Sequence, residues 1–216
     1  EVIAFMRRDL VAVFVACVAF ALLAGFEAAP ALFFGARPAP ATVPSVNDSG
    51  AGNVGTAPAS GIAFSHSLNL KLPAVSRSGE GALADLTVSG VAGKGRVFLQ
   101  FDSGSPLTNP DTQLSLRTAV DVARQLAGAS AGGSGGAEEQ DLYYFFSADS
   151  DIVGGASAGA ALSVATLAVL KKTALREGVL VTGSVDAQGK IGKVGKILEK
   201  AAAAKAAGYA LLLVPF

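Results

Sequence analysis

The chain has 216 residues, 51% of them hydrophobic, and its 17 basic and 17 acidic residues give a net charge of zero. The length predicts one compact domain with appendages, and the charge balance gives no global bias towards nucleic acid. The single cysteine, Cys17, excludes a disulfide framework. The single histidine, His66, nearly excludes histidine-based catalysis, and a metal site lacks ligands.

An uncharged apolar run occupies residues 10–26, directly after the basic residues Arg7 and Arg8. Its 17 residues are at the short limit for a membrane span and just above the length of a signal-peptide core. The arginines predict that the N-terminal flank lies in the cytoplasm and the rest of the chain outside. Met6 is the only methionine, and a chain starting there has the form of a signal sequence. The pattern therefore predicts a retained membrane anchor or a signal segment cleaved near Ala31, with a buried core helix as the alternative.

Residues 27–60 contain five of the nine prolines, separated by glycine, serine, asparagine and alanine. A segment of this composition buries too little apolar area to offset its ordering entropy, so it is predicted to be an extended or disordered tether. The chain thus divides into a basic flank (1–9), the apolar segment (10–26), this linker (27–60) and a domain (61–216).

Hydrophobic periodicity predicts the elements of the domain. Strands are expected at residues 62–72, 82–89, 96–101, 142–146 and 179–186, and helices at residues 112–126, 157–170 and 195–207. The apolar stripe of the first helix is expected to contain Leu114, Ala119, Val122 and Leu126. A flexible surface loop is expected at residues 128–136, and the strand at 142–146 leads towards a serine-containing loop.

The candidate nucleophile is Ser157, which lies in the sequence Gly-Ala-Ser-Ala-Gly at residues 155–159. A serine hydroxyl needs a base, and a lysine can be that base if burial keeps it neutral. Lys200 borders the apolar stripe of the last predicted helix and is the candidate base. Burial and repulsion from Lys196, one turn earlier, are expected to lower its pKa. Unpaired backbone N–H groups in the first turn of the serine helix are available to stabilise an oxyanion.

Other interpretations of these residues are weaker. The G-x-S-x-G pattern also fits the nucleophile elbow of α/β-hydrolases, but that fold needs a histidine after the serine, and His66 precedes it. His66 is therefore interpreted as a strand or loop residue without a catalytic role. Ser157 as a simple helix N-cap is the structural alternative. The lysines at 190, 193, 196 and 205 are interpreted as solvated, and residues 189–196 do not have the spacing of a phosphate-binding loop.

Three segments together resemble the proteolytic domain of the Lon proteases, over roughly residues 80–216. They are residues 147–161 around Ser157, residues 181–185, and residues 189–209 around Lys200. The likeness is closest to short, membrane-anchored or exported archaeal members that lack the ATPase module. It implies an α+β fold of mixed small sheets with packed helices, preceded here by the N-terminal apolar segment.

The resemblance also implies roles for single residues. Ser157 would be the nucleophile, Lys200 the general base, and Thr182 a neighbour that helps to place the lysine, with Gly155 and Ala158 as supporting residues of the loop. The implied activity is that of an ATP-independent serine endopeptidase acting on polypeptides, without cofactor, metal, nucleotide or nucleic acid. The implied assembly is a homo-oligomer, a hexamer.

Four positions depart from the family pattern. Ala156 stands where the family usually has proline, Gly154 where many members have an acid, and Ser184 where many have glutamate. The glycine pair before the lysine helix is replaced by Gly195 and Lys196. Ala156 and Gly154 favour the alternative function, a catalytically weak or silent domain that binds peptides or assembles as a membrane-tethered scaffold.

Overall fold

A computed structural model describes residues 3–6, 64–102, 110–128, 139–148, 152–153 and 155–215. The predicted apolar segment at 10–26 and linker at 27–60 lie outside these residues. The described strands are β1 (Ile3–Met6), β2 (His66–Ser76), β3 (Gly81–Ala92), β4 (Val97–Phe101), β5 (Gln140–Ser147), β6 (Ile152–Val153), β7 (Val179–Val181), β8 (Ser184–Val185), β9 (Ile191–Gly192) and β10 (Leu211–Pro215). The described helices are α1 (Pro110–Ala127), α2 (Gly159–Leu170) and α3 (Ile197–Ala206). Of the helices in this part of the chain, none is long and apolar enough to cross a membrane.

The main sheet has the strand order β4-β5-β3-β2-β6. β2, β3 and β5 are antiparallel neighbours, whereas β4 runs parallel to β5 because α1 connects them as a crossover. One face of this sheet carries the apolar side chains Leu86, Val88, Leu142 and Tyr144, all of which are buried. This face forms the main hydrophobic core with α1 and α2.

The helix α1 turns a stripe of small residues towards α2. Ala119 and Ala123 are completely buried, and Leu116 and Val120 extend the same stripe. Leu114, which the sequence analysis places in the apolar stripe, is instead 64% exposed. The prediction was wrong because the buried stripe follows the alanines, whose small side chains let the two helices approach closely.

The helix α2 is buried on every side, as its uniformly apolar sequence predicts, with eleven of its twelve residues buried. Its few polar groups are bonded internally or across the core. The hydroxyl of Ser163 donates to the carbonyl of Gly159, and Thr166 bonds both the carbonyl of Leu162 and the hydroxyl of Tyr144. The core therefore holds α2 firmly in place, and the residues directly before α2 are attached to a rigid helix.

The second sheet has the order β1-β10-β7, with both neighbouring pairs parallel. Leu180, Leu212 and Val214 form a smaller core with Ala204 of α3. Packing on this core fixes which side of α3 faces inwards, and Lys200 lies on that side, one turn before Ala204. The strand β1 comes from the segment that the sequence analysis assigns to the basic flank.

The strand predicted at residues 179–186 is divided in the structure. β7 belongs to the second sheet, while β8 pairs with β9 in a separate two-stranded hairpin. The N–H of Thr182 still donates to the carbonyl of Leu213 in β10 at 3.0 Å, whereas the backbone of Gly183 bonds Ser157 and Ala160. The predicted helix starts also move, from residue 157 to Gly159 and from residue 195 to Ile197.

Candidate active site

Ser157 lies in a short 3-10 turn, Ala156–Ala158, that runs directly into α2. The N-cap of α2 is Ala158, and neither the turn nor the helix has a side-chain cap. The structural alternative, in which Ser157 caps the helix, is therefore wrong. The half-buried hydroxyl of Ser157 is not committed to the helix start.

The turn is held by close packing at Gly159. A Cβ atom at Gly159 would lie 2.9 Å from the backbone nitrogen of Val185 and 3.0 Å from the hydroxyl of Ser115. Only a glycine allows α1 and β8 to approach the start of α2 this closely. By contrast, a Cβ at Gly155 would meet no atom within 4 Å, so the other side of the turn is open. Gly159 thus serves internal packing, whereas Gly155 has no close neighbour among the described residues.

Hydrogen bonds attach the serine turn to the β7–β8 connection. The carbonyl of Ser157 accepts from the backbone N–H of Gly183 at 2.9 Å and from the hydroxyl of Thr182 at 3.2 Å. The N–H of Ala160 donates to the carbonyl of Gly183 at 2.9 Å. These reciprocal bonds explain why the strand predicted at 179–186 is divided: the backbone of Gly183 bonds the serine turn and the start of α2, and the bonding to β10 ends at Thr182.

A third contact comes from α1, where the hydroxyl of Ser115 donates to the carbonyl of Ala156 at 3.4 Å. In a trans peptide the C=O and N–H groups point in opposite directions. The same carbonyl also accepts the N–H of Gly159, so it points along the turn towards α2 and the N–H of Ser157 points the opposite way. That N–H lies at the N-terminal end of the turn, where backbone donors lack partners within the turn.

Lys200 is buried, with only 3% of its surface exposed. Its side-chain nitrogen donates a hydrogen bond to the Thr182 hydroxyl at 3.2 Å. Burial lowers the pKa of Lys200, because a charged ammonium loses its hydration there. The expected contribution from Lys196 is not found: its nitrogen pairs with Glu199 at 3.2 Å on the outer side of α3. Among the described residues, no acidic side chain forms an ion pair with Lys200.

The structure therefore brings Ser157, Thr182 and Lys200 to one place, where the turn before α2, the β7–β8 connection and α3 meet. Gly155 and Ala158 flank the serine in the same turn. The residues that sequence reasoning missed are Ser115 and Gly183. Ser115 lies on the buried side of α1, so a polar residue within an apolar stripe was the available signal.

His66 lies far from this place. Its Nε2 is 3.2 Å from the carbonyl oxygen of Thr173, just beyond the C-terminal end of α2. Ser157 precedes the other end of that helix, and twelve helical residues span about 18 Å. The interpretation of His66 as a strand residue is consistent with its position at the start of β2. No group of three potential metal-ligating residues occurs within the described ranges.

Two comparisons with known proteins bear on this site. Residues 114–216 match the sequence model of the Lon protease (S16) C-terminal proteolytic domain. No curated protein matches the sequence. The matched region includes the serine turn, the β7–β8 connection and α3, while β2, β3 and β4 lie before it. Residues 114–216 therefore resemble a Lon-type (S16) protease domain, as the sequence analysis predicts.

Proposed function

We propose that this chain is a serine endopeptidase in which Ser157 and Lys200 form a catalytic dyad. Support comes above all from the buried position of Lys200 and its hydrogen bond to Thr182, the residue that also bonds the carbonyl of Ser157. A lysine with a lowered pKa can be neutral at the pH of catalysis and accept a proton. Its burial and its pKa shift together fit a general base rather than a solvated surface lysine.

In the proposed reaction, the Ser157 oxygen attacks the carbonyl carbon of a peptide bond while its proton moves to the Lys200 nitrogen. The oxyanion formed on the substrate accepts a hydrogen bond from the backbone N–H of Ser157, assisted by the positive end of α2. The C–N bond then breaks, and Lys200 returns the proton to the leaving amine. Water attacks the resulting ester while its proton moves to Lys200, the bond between the acyl carbon and the Ser157 oxygen breaks, and Lys200 returns the proton to that oxygen as the acid product leaves.

The reaction as proposed consumes a peptide and water alone, so we propose that it needs no ATP. Support comes from the lysine-rich segment at 189–196, which lacks the spacing of a phosphate-binding loop. From the resemblance and the N-terminal sequence pattern, we further propose a homo-oligomer, with six copies, anchored to a membrane or exported, whose proteolytic domain is outside the cytoplasm.

Covalent labelling with a fluorophosphonate probe tests the nucleophile. The parent protein is expected to be labelled at Ser157, and Ser157→Ala and Lys200→Ala are expected to lose the label. Ser163→Ala is the matched control, because Ser163 lies in the helix that follows the serine turn and its hydroxyl is bonded to the carbonyl of Gly159. Labelling that persists in Ser157→Ala would contradict the proposal. Cleavage of an unfolded protein should be equally fast with and without ATP.

A peptide-binding domain with little or no catalysis is the second candidate. It is favoured by one observation: among the described residues, no hydrogen bond joins the Ser157 hydroxyl to the Lys200 nitrogen, which is bonded to Thr182. This function predicts peptide binding without labelling or cleavage at any pH. The labelling experiment therefore separates the two candidates.

A further inference from the structure

A surface cleft of about 350 Å³ is formed by the β8–β9 hairpin, residues 184–186 and 190–193. The cleft lies close to the serine turn because of the hydrogen bonds that Gly183 makes there. Gly183 bonds Ser157 and Ala160, and the hairpin begins at the next residue. Because a strand rises about 3.3 Å per residue, Ser184 and Asp186 lie within about 10 Å of Gly183. When a substrate peptide bond lies at Ser157, a substrate side chain a few residues from that bond can therefore reach the cleft.

The cleft contains three charged residues, Asp186, Lys190 and Lys193. One of them, Asp186, forms hydrogen bonds within the hairpin. The carboxylate of Asp186 accepts the backbone N–H groups of Gln188 at 3.0 Å and Lys190 at 2.8 Å, which stabilises the turn. Lys190 and Lys193 are exposed, and neither forms an ion pair with another residue in the described ranges. The cleft thus has two ammonium groups without an ion-pair partner among these residues and one carboxylate, which gives it a formal charge of +1.

The neutral residue Ser184 keeps this positive charge uncompensated. It lines the cleft and packs against Gly192, where a Cβ would lie 2.5 Å from the Ser184 hydroxyl. An acidic side chain at position 184 would line the same cleft as the two lysines. With serine there, a carboxylate that neutralises the cleft has to come from another molecule.

We propose that the β8–β9 hairpin forms a substrate subsite that selects acidic side chains, so that polypeptides with Glu or Asp within about three residues of the cleaved bond are preferred. This inference rests on the proposed protease function and specifies its substrate class. Exposed ion pairs are weak, so each lysine is expected to contribute about 1.5- to 5-fold. Together they should give a preference for Glu over Lys of about 2- to 20-fold, which decreases in high salt.

The test uses quenched fluorogenic peptides that are identical except for Glu, Gln or Lys at one position, placed in turn at each of three residues on either side of the cleaved bond. The readout is the ratio of kcat/KM for the Glu and Lys peptides at about 50 mM and 500 mM NaCl. The ratio should exceed one at low salt in at least one position and approach one at high salt. In the double variant Lys190→Glu, Lys193→Glu the ratio should fall below one. Lys205→Glu is the matched control, since it changes an exposed lysine of α3 outside the cleft and should keep the parent ratio.

Binding separates failure of this inference from failure of the protease function. Fluorescence anisotropy with the same peptides and the Ser157→Ala variant reports affinity without cleavage. If no peptide is cleaved by the parent but Glu peptides bind more tightly through Lys190 and Lys193, the protease function fails and the acidic subsite remains. Equal values for Glu, Gln and Lys peptides, or a preference that survives the double charge reversal, would overturn the subsite.

Discussion

The side-chain nitrogen of Lys200 donates to the hydroxyl of Thr182 at 3.2 Å, inside a region from which water is excluded. The same hydroxyl donates to the carbonyl of Ser157, also at 3.2 Å. Thr182 thus links the candidate base to the backbone of the candidate nucleophile. A neutral lysine that donates to Thr182 keeps its lone pair available for the proton of Ser157.

The first prediction concerns this link. Thr182→Val keeps the shape of the side chain but removes the hydroxyl, leaving the buried Lys200 nitrogen without its partner. Such a loss costs about 1–3 kcal/mol, so kcat/KM should fall about 5- to 150-fold. Thr182→Ser should retain most of the activity. Thr166→Val is the control, because Thr166 is equally buried but bonds Tyr144 in the core; an equal loss of activity there would argue against a special role for Thr182.

The second prediction concerns pH. Burial lowers the pKa of Lys200, and only the neutral amine can accept the serine proton, so kcat/KM should rise with pH along a single ionisation. Lys200→Arg should be inactive throughout, because a guanidinium stays protonated. Lys196→Ala should leave the midpoint unchanged, since Lys196 is paired with Glu199. A flat profile in the parent would exclude Lys200 as the base.

The lowered pKa of Lys200 also makes the stability of the fold depend on pH. The unfolded chain holds a proton on Lys200 up to a pKa of about 10.4, whereas the folded chain releases it at lower pH. Between these two values the unfolded state binds more protons, so the stability of the parent rises with pH. Lys200→Met lacks this dependence and should have the higher Tm at neutral pH, with the difference shrinking towards pH 10. A difference independent of pH would show that packing alone is responsible.

The third prediction concerns two lysines with left-handed backbone conformation, Lys172 (φ 53°) and Lys196 (φ 60°). Lys172 follows the last turn of α2, and Lys196 is the N-cap of α3. A side chain in this conformation costs about 1 kcal/mol relative to glycine, so Lys172→Gly should raise the free energy of unfolding by about that amount. Lys196→Gly should gain less, because it also loses a weak, exposed ion pair with Glu199. Urea denaturation measures both, and Lys172→Ala, which keeps a Cβ, should show no gain.

The fourth prediction concerns acid stability. The buried carboxylate of Asp141 accepts from the backbone N–H groups of Lys94 and Arg96 and from the Arg96 guanidinium. The bonds to Arg96 lower the pKa of Asp141 to about 2. Because the folded pKa lies below the unfolded value, this stabilisation is complete above about pH 4 and is lost as the pH falls through about 2. Asp141→Asn should therefore lower Tm at pH 7 and have little effect at pH 2. Asp85→Asn, which removes an exposed pair with Lys71, should change Tm little at either pH.

The sequence predicts those parts of the fold that repeat a simple pattern. Uniformly apolar residues predict a helix like α2, alternation predicts β2 and β3, and a short run of apolar residues predicts β5, with boundaries that shift by a few residues. The prediction that Leu114 is buried is wrong because periodicity alone does not show which of two possible stripes on α1 meets α2. The depth of the groove between helices decides it, and that depth depends on Ala119 and Ala123 meeting the small residues of α2.

In the candidate site, too, some features are predicted by simple sequence patterns and others are not. Ser157 and Lys200 are visible in the sequence because a glycine-framed serine and a lysine beside an apolar stripe are local patterns. The hydrogen bonds of Gly183 and the contact from Ser115 are invisible there, because each joins segments that are distant in sequence. The separation of Lys196 from Lys200 is also a matter of geometry: helical spacing places them near each other, but the Glu199 carboxylate engages Lys196 on the outer side of α3.

The pairing of β1 with β10 sets a condition on how the chain can meet a membrane. Two strands joined by backbone hydrogen bonds must occupy the same compartment, whereas a single crossing by residues 10–26 would put Ile3–Met6 and the proteolytic domain on opposite sides. The pair and the single crossing thus exclude each other within one molecule. Cysteines introduced at the paired positions Ala4 and Leu213, in a Cys17→Ser background, can form a disulfide only when the strands are paired. A molecule that does cross the membrane presents an open, apolar edge at β10, a template for pairing with a strand of another chain.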